Sequence, residues 1–517
     1  MQLAVYLGLA GMFAGAAAPA VNEKIAPWVW EKTAYGGRAS FLVVLTDQAD
    51  LTLARGLHTK AEKGAYVVAE LRAAAQATQG PILERLRQLG APHRPFYIVN
   101  MIEVEGGLDL VLQLAARGDV ARIDANPWVR FDGPVERSPA STFEPARGVD
   151  PNPEPNLLQV NADDVWGLGF TGQGMVLAGA DTGVDWDHPA LINQYRGSNG
   201  SPADHNFNWH DSIHVNDGSS CGPDATVPCD PFSHGTHTVG TMVGDDGGTN
   251  RIGMAPGAEW IACRNMNQFG AGTPATYTEC FEWFIAPYAI GGSPAGGDPT
   301  KAPHAINNSW GCPPSEGCPV ENPNILKMVV ENTRAAGIMV VVSAGNAGSA
   351  CETVEDPAAI YDASYSVGAV GPTDVIATFS SRGPVVVDGS NRLKPDISAP
   401  GVSILSSVPG TGYSFSSGTS MAGPHVAGAV GLLWSAEPDL IGDTDLTELI
   451  LNQSALDRTT LTQTCGGVPG TSVPNNTYGW GRLDILAAVQ QTPAGRPLAV
   501  GKGPGGSADK VRRLIDF

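Results

Sequence analysis

Basic residues are scarce in this chain. Its 517 residues include 31 Lys plus Arg against 52 Asp plus Glu, a formal charge of −21. That sign opposes binding of phosphate backbones through counterion release, so nucleic acid is excluded as a main partner. Charge of either sign is thin, at 16% of the chain, which excludes a coiled coil or a solvent-bridging helical bundle. Cysteine is absent from the first 220 residues, and no Cys-x-x-Cys pair occurs anywhere, so the commonest zinc signature is missing. Beyond residue 21 every apolar run is cut by Gly, Pro or charge within about a dozen residues, short of a membrane span. No stable membrane association is expected. Glycine and proline, by contrast, are plentiful at 64 and 40, and hydrophobic residues make up 42%. The picture is of compact, turn-rich domains with buried cores rather than disorder, and the length suggests about three domain-sized units.

Residues 1–20 read as a signal peptide. Leu3 to Val21 carry no charge, are rich in Ala and Gly, and run into AAAPA, whose small residues suit an export peptidase. The alternative, a retained anchor, is disfavoured by that Ala and Gly content. A secreted or periplasmic location follows. Cys221, Cys229, Cys263, Cys280, Cys312, Cys318, Cys351 and Cys465 make an even set, which in an exported chain implies disulfides. Cys221 with Cys229 and Cys312 with Cys318 bracket short loops; the pairing stays open, with buried free thiols as the other reading.

Residues 22–133 alternate apolar strands with amphipathic helices. FLVVLT at 41–46 predicts a strand, 63–89 a helix, FYIVNMIEVEG at 96–106 two strands, LDLVLQLAARG at 108–118 a helix and VARIDANPWVRF at 120–131 a last strand. This is the β-α-β-β-α-β order of a small α+β ferredoxin-like domain. A linker at 134–155 reads as exposed and cleavable. Over 156–492 short buried strands alternate with helices, predicting an α/β fold of three layers around a doubly wound, mostly parallel sheet. The strands are expected at 175–181, 259–265, 304–310, 338–346 and 365–370, and the helices at 234–244, 276–288, 323–336, 419–435, 446–455 and 482–491. Residues 493–517 read as a flexible tail.

In an open parallel sheet, polar groups at strand ends converge on one edge. MVLAGAD delivers Asp181 there. SHGTHTVG sets His234 at the start of a helix so rich in Gly, Thr and Val that it must be buried, and SFSSGTSMAGPHVAG sets Ser420 at the start of a long apolar helix. Pro424 falls in that helix's first turns, where proline is tolerated. Taken singly, each residue has a plain structural reading as turn, core histidine or N-cap. Together they form the set acyl transfer requires: a nucleophilic hydroxyl, a base to take its proton, and a carboxylate to hold the imidazole. Asn346 in SAGN, among small residues just past a buried strand, is the candidate oxyanion donor, alongside the Ser420 amide and the helix dipole. His237 and His425 are assigned to the core.

The phrases DTGVDWDHPAL, SHGTHTVGT, NNSWG, SAGN and GTSMAGPHVAG together resemble the subtilisin-like serine proteases, the subtilase family, over roughly 160–491. QVNADDVWGLGFTGQG and INNSWGCPP place the resemblance in its bacillopeptidase F-like branch. The resemblance implies a subtilisin-like catalytic domain with Asp181, His234 and Ser420 as catalytic residues and Asn346 as oxyanion donor. Ser309, Trp310 and Gly311, with Ala344 and Gly345, would line the substrate groove, and peptide would bind as an added extended strand. It further implies that residues 22–133 are an inhibitor-type propeptide acting on its own catalytic domain; an unrelated module retained in the mature protein is the alternative. The expected function is a secreted serine endopeptidase, made as a self-processing zymogen and acting on proteins or peptides, with no metal or cofactor in catalysis. Structural calcium stays open: DHNFNWHDS and GDDGG offer oxygen ligands without diagnostic spacing.

Glu355 is expected near the floor of the specificity pocket, favouring basic side chains, with an exposed loop carboxylate as the other reading. Two rivals remain. An aspartic protease would need a second Asp-Thr-Gly or Asp-Ser-Gly beside the one at 181–183, and none occurs. A silent peptide-binding scaffold would need a broken triad, and the residues are intact. Residues 22–133 hold 13 basic and 13 acidic side chains, so the net negative charge lies beyond residue 133.

Overall fold

The computed structural model describes residues 21–130, 136–139, 153–198, 202–311 and 322–491. The expected signal peptide, most of the 134–155 linker, the Cys312–Cys318 loop and the expected tail lie outside the described residues.

The N-terminal domain runs α1 (Pro27–Thr33), β1 (Ala39–Leu45), α2 (Lys60–Thr78), α3 (Gly80–Leu89), β2 (His93–Phe96), β3 (Met101–Gly106), α4 (Leu108–Ala115) and β4 (Val120–Ala125). Its strands pair antiparallel in the order β2-β3-β1-β4, the expected β-α-β-β-α-β arrangement. The single helix expected over 63–89 is two, because Gly80 and Pro81 open α3 anew, proline lacking the donor to continue a helix. Thr59 and Glu62 form a capping box that starts α2. The last strand expected over 120–131 also divides. β5 (Val129–Arg130) leaves the small sheet and pairs with β10 (Ala271–Gly272), and β6 (Glu136–Pro139) pairs antiparallel with β16 (Gly412–Ser417).

The larger domain opens with α5 (Pro155–Gln159) and α6 (Ala162–Gly167). It continues through β7 (Val176–Asp181), β8 (Trp209–Asp211), α7 (His234–Val243), β9 (Glu259–Arg264), β10, α8 (Pro274–Ile285), β11 (Ala305–Asn308) and α9 (Lys327–Ala335). Then come β12 (Met339–Ser343), β13 (Tyr365–Val370), β14 (Ile397–Pro400), β15 (Ile404–Val408), β16, α10 (Thr419–Ala436), α11 (Thr444–Ser454) and α12 (Ile485–Gln490). Seven strands, in the order β14-β13-β12-β11-β7-β9-β8, form one parallel sheet. β7, β9, β12 and β13 fall where the apolar runs predict them; β8 and β14, at three and four residues, are too short to show a period.

Helices cover both faces of the sheet. α10 is apolar all round and buried from Thr419 to Trp434, as a helix sandwiched within a core must be. It packs side by side with α7 and against β11 to β14, forming one hydrophobic cluster with Leu177, Val239, Val341 and Val367. α8 and α9 cover the other face, and there the cluster continues into the N-terminal domain. The disulfides Cys221–Cys229, Cys263–Cys280 and Cys351–Cys465 bear out the expectation of crosslinks; the second ties α8 to β9. No helix among the described residues is long and apolar enough to cross a membrane.

Candidate active site

Strand register brings the site together. Ala180 of β7 lies beside Asn308 of β11, and Asn308 beside Val342 of β12. The segments carrying Asp181, Ser309 and Asn346 therefore leave the sheet at one edge, the carboxyl edge where such folds gather functional groups.

Asp181 ends β7 and is buried, as is His234, the first residue of α7. His234 Nδ1 lies 2.7 Å from Asp181 Oδ1. The carboxylate also accepts from the Thr182 amide at 2.7 Å and from Thr238 Oγ1 at 3.2 Å. With Nδ1 hydrogen-bonded to a carboxylate, the proton of neutral imidazole belongs on Nδ1, leaving Nε2 basic. This approach needs glycine: a Cβ on Gly235 would lie 2.0 Å from Gly183 O, and one on Gly183, at φ +111, would lie 1.9 Å from Cys229 O.

A residue missed in the sequence sets the start of α7. Asp230 accepts from the amides of Phe232, Ser233 and Thr236 and from the hydroxyls of Thr182 and Thr236. Burial pushes its carboxyl above the usual range, opposed by the Thr236 hydrogen bonds. The only signal for it in the sequence is a short polar side chain four residues before the helix, which is common to many turns.

Ser420 is the second residue of α10 and buried. Ser309 Oγ donates to Ser420 O at 3.0 Å, and Ser420 Oγ reaches Ser309 O at 3.4 Å. Asn346 Oδ1 accepts from the Thr419 amide and hydroxyl, both at 2.9 Å. Holding Oδ1 this way fixes the side-chain amide so that Nδ2 is the donor left for the cleft. Nδ2 lies 3.7 Å from where a Cβ on Gly418 would stand, beside the backbone that leads into Ser420.

The groove residues divide into two kinds. Ser309, Gly311, Ala344 and Gly345 belong to the backbone segments beyond β11 and β12. Trp310 turns its side chain inward, 1% exposed, and stacks on Tyr277 of α8 with ring centroids 4.0 Å apart. The carboxylate that approaches both glycines is Asp356, the residue next to Glu355. A Cβ on Gly311 would lie 2.7 Å, and one on Gly345 2.8 Å, from Asp356 Oδ2.

The histidines assigned to the core are held there. His237 Nε2 meets Ile404 O and Ser414 O, and His425 lies between Met421 O and Asn156, its pKa pushed down to about 4 by burial. Among the described residues no group of three or more His, Cys, Asp or Glu is placed to hold a metal ion. The segments considered for calcium turn carboxylates onto local groups: Asp204 accepts from Asn206, and Asp246 from Gly248 and Asn250.

Residues 172–481 match the Peptidase S8, or subtilase, family. Over 462 residues the chain is 34% identical to bacillopeptidase F of Bacillus subtilis (strain 168), covering 86% of this chain and 30% of that protein. It is 32% identical to subtilisin E of the same organism over 285 residues, 54% of this chain and 61% of that protein. To subtilisin of Bacillus pumilus it is 31% identical over 337 residues, 65% of this chain and 98% of that protein. The match thus spans under a third of bacillopeptidase F and about three fifths of subtilisin E. With this match laid over a parallel sheet whose carboxyl edge carries Asp181, His234 and Ser420, the chain belongs to the subtilase family, in its bacillopeptidase F-like branch.

Proposed function

We propose that this protein is a secreted serine endopeptidase that hydrolyses peptide bonds through an acyl-enzyme and is made as a self-processing zymogen. The observation that carries the reading is the buried Asp181–His234 hydrogen bond of 2.7 Å at the sheet edge from which Ser309 reaches Ser420. Peptide lies along the groove as an extended strand. Ser420 Oγ attacks the carbonyl carbon while His234 Nε2 takes the hydroxyl proton, and Asp181 stabilises the imidazolium. The negative charge on the former carbonyl oxygen is met by Asn346 Nδ2 and the Ser420 amide at the positive end of α10. His234 then gives its proton to the leaving amine, and a water activated by the same base releases the acyl group. No metal or cofactor takes part.

The N-terminal domain is the intramolecular inhibitor. β5 adds to β10, and β6 adds to β16, three residues ahead of Ser420. These two pairings beside the candidate groove support the inhibitor reading, with the separating cut in the expected linker, 134–155. The exported location rests on the expected signal peptide and on the disulfides.

Ser420→Ala is the test. The variant is expected to accumulate as uncut precursor and to lose casein hydrolysis, and a sulfonyl fluoride is expected to label only the unmodified enzyme. Processing and hydrolysis that survive the substitution overturn the reading, whether in favour of an aspartic protease or of contaminating activity. A wild-type protein that binds peptide without cleaving it identifies a scaffold instead.

A further inference from the structure

The chain that carries Asn346 past the end of β12 is fastened peptide by peptide. The Ala344 amide donates to Val367 O of β13 at 3.0 Å. Gly345 O accepts from the Ser381 amide at 2.9 Å, and the Ala347 amide donates to Ser381 Oγ at 3.1 Å. Gly348 then donates its amide to Phe379 O at 2.8 Å. One buried serine thus holds the peptide groups on both sides of Asn346. Those two planes fix φ and ψ of Asn346, its only soft backbone dihedrals, and with them the direction in which its side chain leaves the backbone.

Ser381 is itself held from either side. Ser380 Oγ accepts from the Ala369 amide of β13 at 3.0 Å, and the Arg382 amide donates to Thr353 Oγ1 at 2.9 Å. The far end of the Asn346 segment is tied to the same place. Arg382 Nη1 and Gln463 Nε2 both donate to Ser349 O, at 3.0 and 2.7 Å, close in the chain to the Cys351–Cys465 disulfide. This close approach needs glycine. A Cβ on Gly345, where φ is +102, would lie 2.8 Å from Ser381 Oγ, and one on Gly348 would lie 2.1 Å from Ser380 O.

We propose that Ser381 is a positioning residue of the reaction, holding Asn346 Nδ2 at the place where the oxyanion forms. The inference rests on the serine-endopeptidase reading and deepens it. An oxyanion donor works by standing in place before the charge develops, so a small displacement costs rate rather than ground-state binding. Without the Ser381 hydroxyl, the Ala347 amide loses its acceptor in a buried setting. The peptide after Asn346 then turns toward another partner, and Nδ2 swings with it. Because Ser381 acts through Asn346 alone, its effect differs in kind from the loss of any other buried hydrogen bond.

The test uses the processed enzyme, its active sites counted by sulfonyl fluoride titration, and one peptide substrate. Ser381→Ala should lower kcat about tenfold and leave KM within about twofold. A peptide aldehyde, whose hemiacetal with Ser420 places an oxygen at the oxyanion position, should bind about tenfold more weakly. Asn346→Ala alone should cost about 10²–10³-fold in kcat. Adding Ser381→Ala to it should change kcat by less than about twofold, because the residue it positions is gone. Ser380→Ala is the control: it also strips the acceptor from one buried amide, and it should lower the melting temperature without coupling to Asn346. Where Ser381→Ala does not fold, Ser381→Cys, which keeps a weak acceptor, decides by the same measurements, with kcat expected between those of the unmodified enzyme and Asn346→Ala. A kcat loss of equal factor with and without Asn346, a loss confined to KM, an unchanged kcat, or matching coupling in Ser380→Ala overturns the assignment. The two readings fail differently: a labelled, active enzyme indifferent to Asn346→Ala removes the oxyanion role and with it that of Ser381, whereas no labelling and no hydrolysis removes the peptidase itself.

Discussion

The two faces of β1 lead to different places. Phe41, Val43 and Leu45 point into a core closed by the N-terminal domain alone, with Ile82, Leu86, Ile102 and Val111. Leu42 and Val44 join a cluster with Val67, Leu71 and Ile98 that runs on into Phe281, Phe284 and Val329 of α8 and α9. The larger domain is uneven in the same way. The cluster on the α7 and α10 side of its sheet contains no residue before Leu157, whereas the α8 and α9 side is completed by the N-terminal domain. The hydrophobic cluster on the face that carries His234 and Ser420 is therefore built without the N-terminal domain, and that on the opposite face is shared.

Polar contacts reinforce the shared face. Glu282 of α8 accepts from the amides of Tyr97 and, at 2.9 Å, Ile98, while Arg94 pairs with both Glu103 and Glu279. Arg72 donates to Pro294 O and Gly297 O, Lys60 to Ala302 O and Lys63 to Gly442 O. Glu279 also meets His210 and His214. Burial is the main cause of the perturbed ionisation here, raising Glu282 to about 7 and lowering His210 to about 3.

The largest expected effect tests the independence of the face that carries the proposed triad. Asp181→Asn removes the carboxylate that sets the His234 tautomer and should lower kcat about 10⁴-fold. Thermal unfolding of the processed domain and its affinity for the N-terminal domain should change little. Loss of docking in that variant would mean that the two faces are coupled.

Next in size is a pair of core truncations. Leu71→Ala lies in the shared cluster and Leu86→Ala in the private one, and each should cost about 2–5 kcal/mol. Leu86→Ala should lower the melting temperature of separately expressed residues 21–130, whereas Leu71→Ala should act chiefly on inhibition of the processed enzyme by that segment. Equal effects of both substitutions on both readouts would erase the distinction between the cores.

A pH series sharpens it further. Burial in the docked chain raises Glu282 from its ordinary 4.5 to about 7, so relative to a free state in which Glu282 is exposed to water the docked state binds a proton more tightly. That contribution is fully present below pH 4.5 and is lost as pH rises through 7. Half-buried Lys60, lowered to about 7 by burial and by Arg196, has the opposite sign, its penalty receding as pH climbs above 7. Inhibition by the N-terminal segment should therefore be weakest near pH 7, with each limb no steeper than about tenfold per pH unit for a single proton. Glu282→Gln should flatten the acidic limb, and Lys60→Met the alkaline one. The smallest effect is expected from Thr59→Ala, which removes the capping box of α2 and should destabilise the N-terminal domain by about 1 kcal/mol, read by circular dichroism.

Much of the architecture is visible in the residues because its signals are local. Four of the central strands are unbroken apolar runs, and the Asp, His and Ser segments each hold their chemistry within a few positions of a helix start or strand end. What stays hidden depends on tertiary placement. Asp230 is recognisable only once five donors are seen to converge on it. Trp310 sits in a groove motif, yet its ring belongs to the core because Tyr277 lies opposite. Asp356, the neighbour of the Glu355 expected there, is the carboxylate that stands beside Gly311 and Gly345, a placement that only the fold reveals. Likewise nothing in VARIDANPWVRF shows that the strand breaks after Ala125 and that its end joins another sheet.

The pairing of β5 with β10 and of β6 with β16 has a kinetic consequence. On the proposed zymogen reading, the inhibitor and the groove of an uncut chain are one molecule, facing each other at an effective concentration on the order of millimolar that no surrounding volume can alter. The proposed cut would remove the tether, and the same contacts would become a bimolecular equilibrium that depends on how much of each piece is present. On that proposal, self-cleavage would start a clock that dilution finishes: crowded at its source the protease would stay occupied, and it would become free as it spreads.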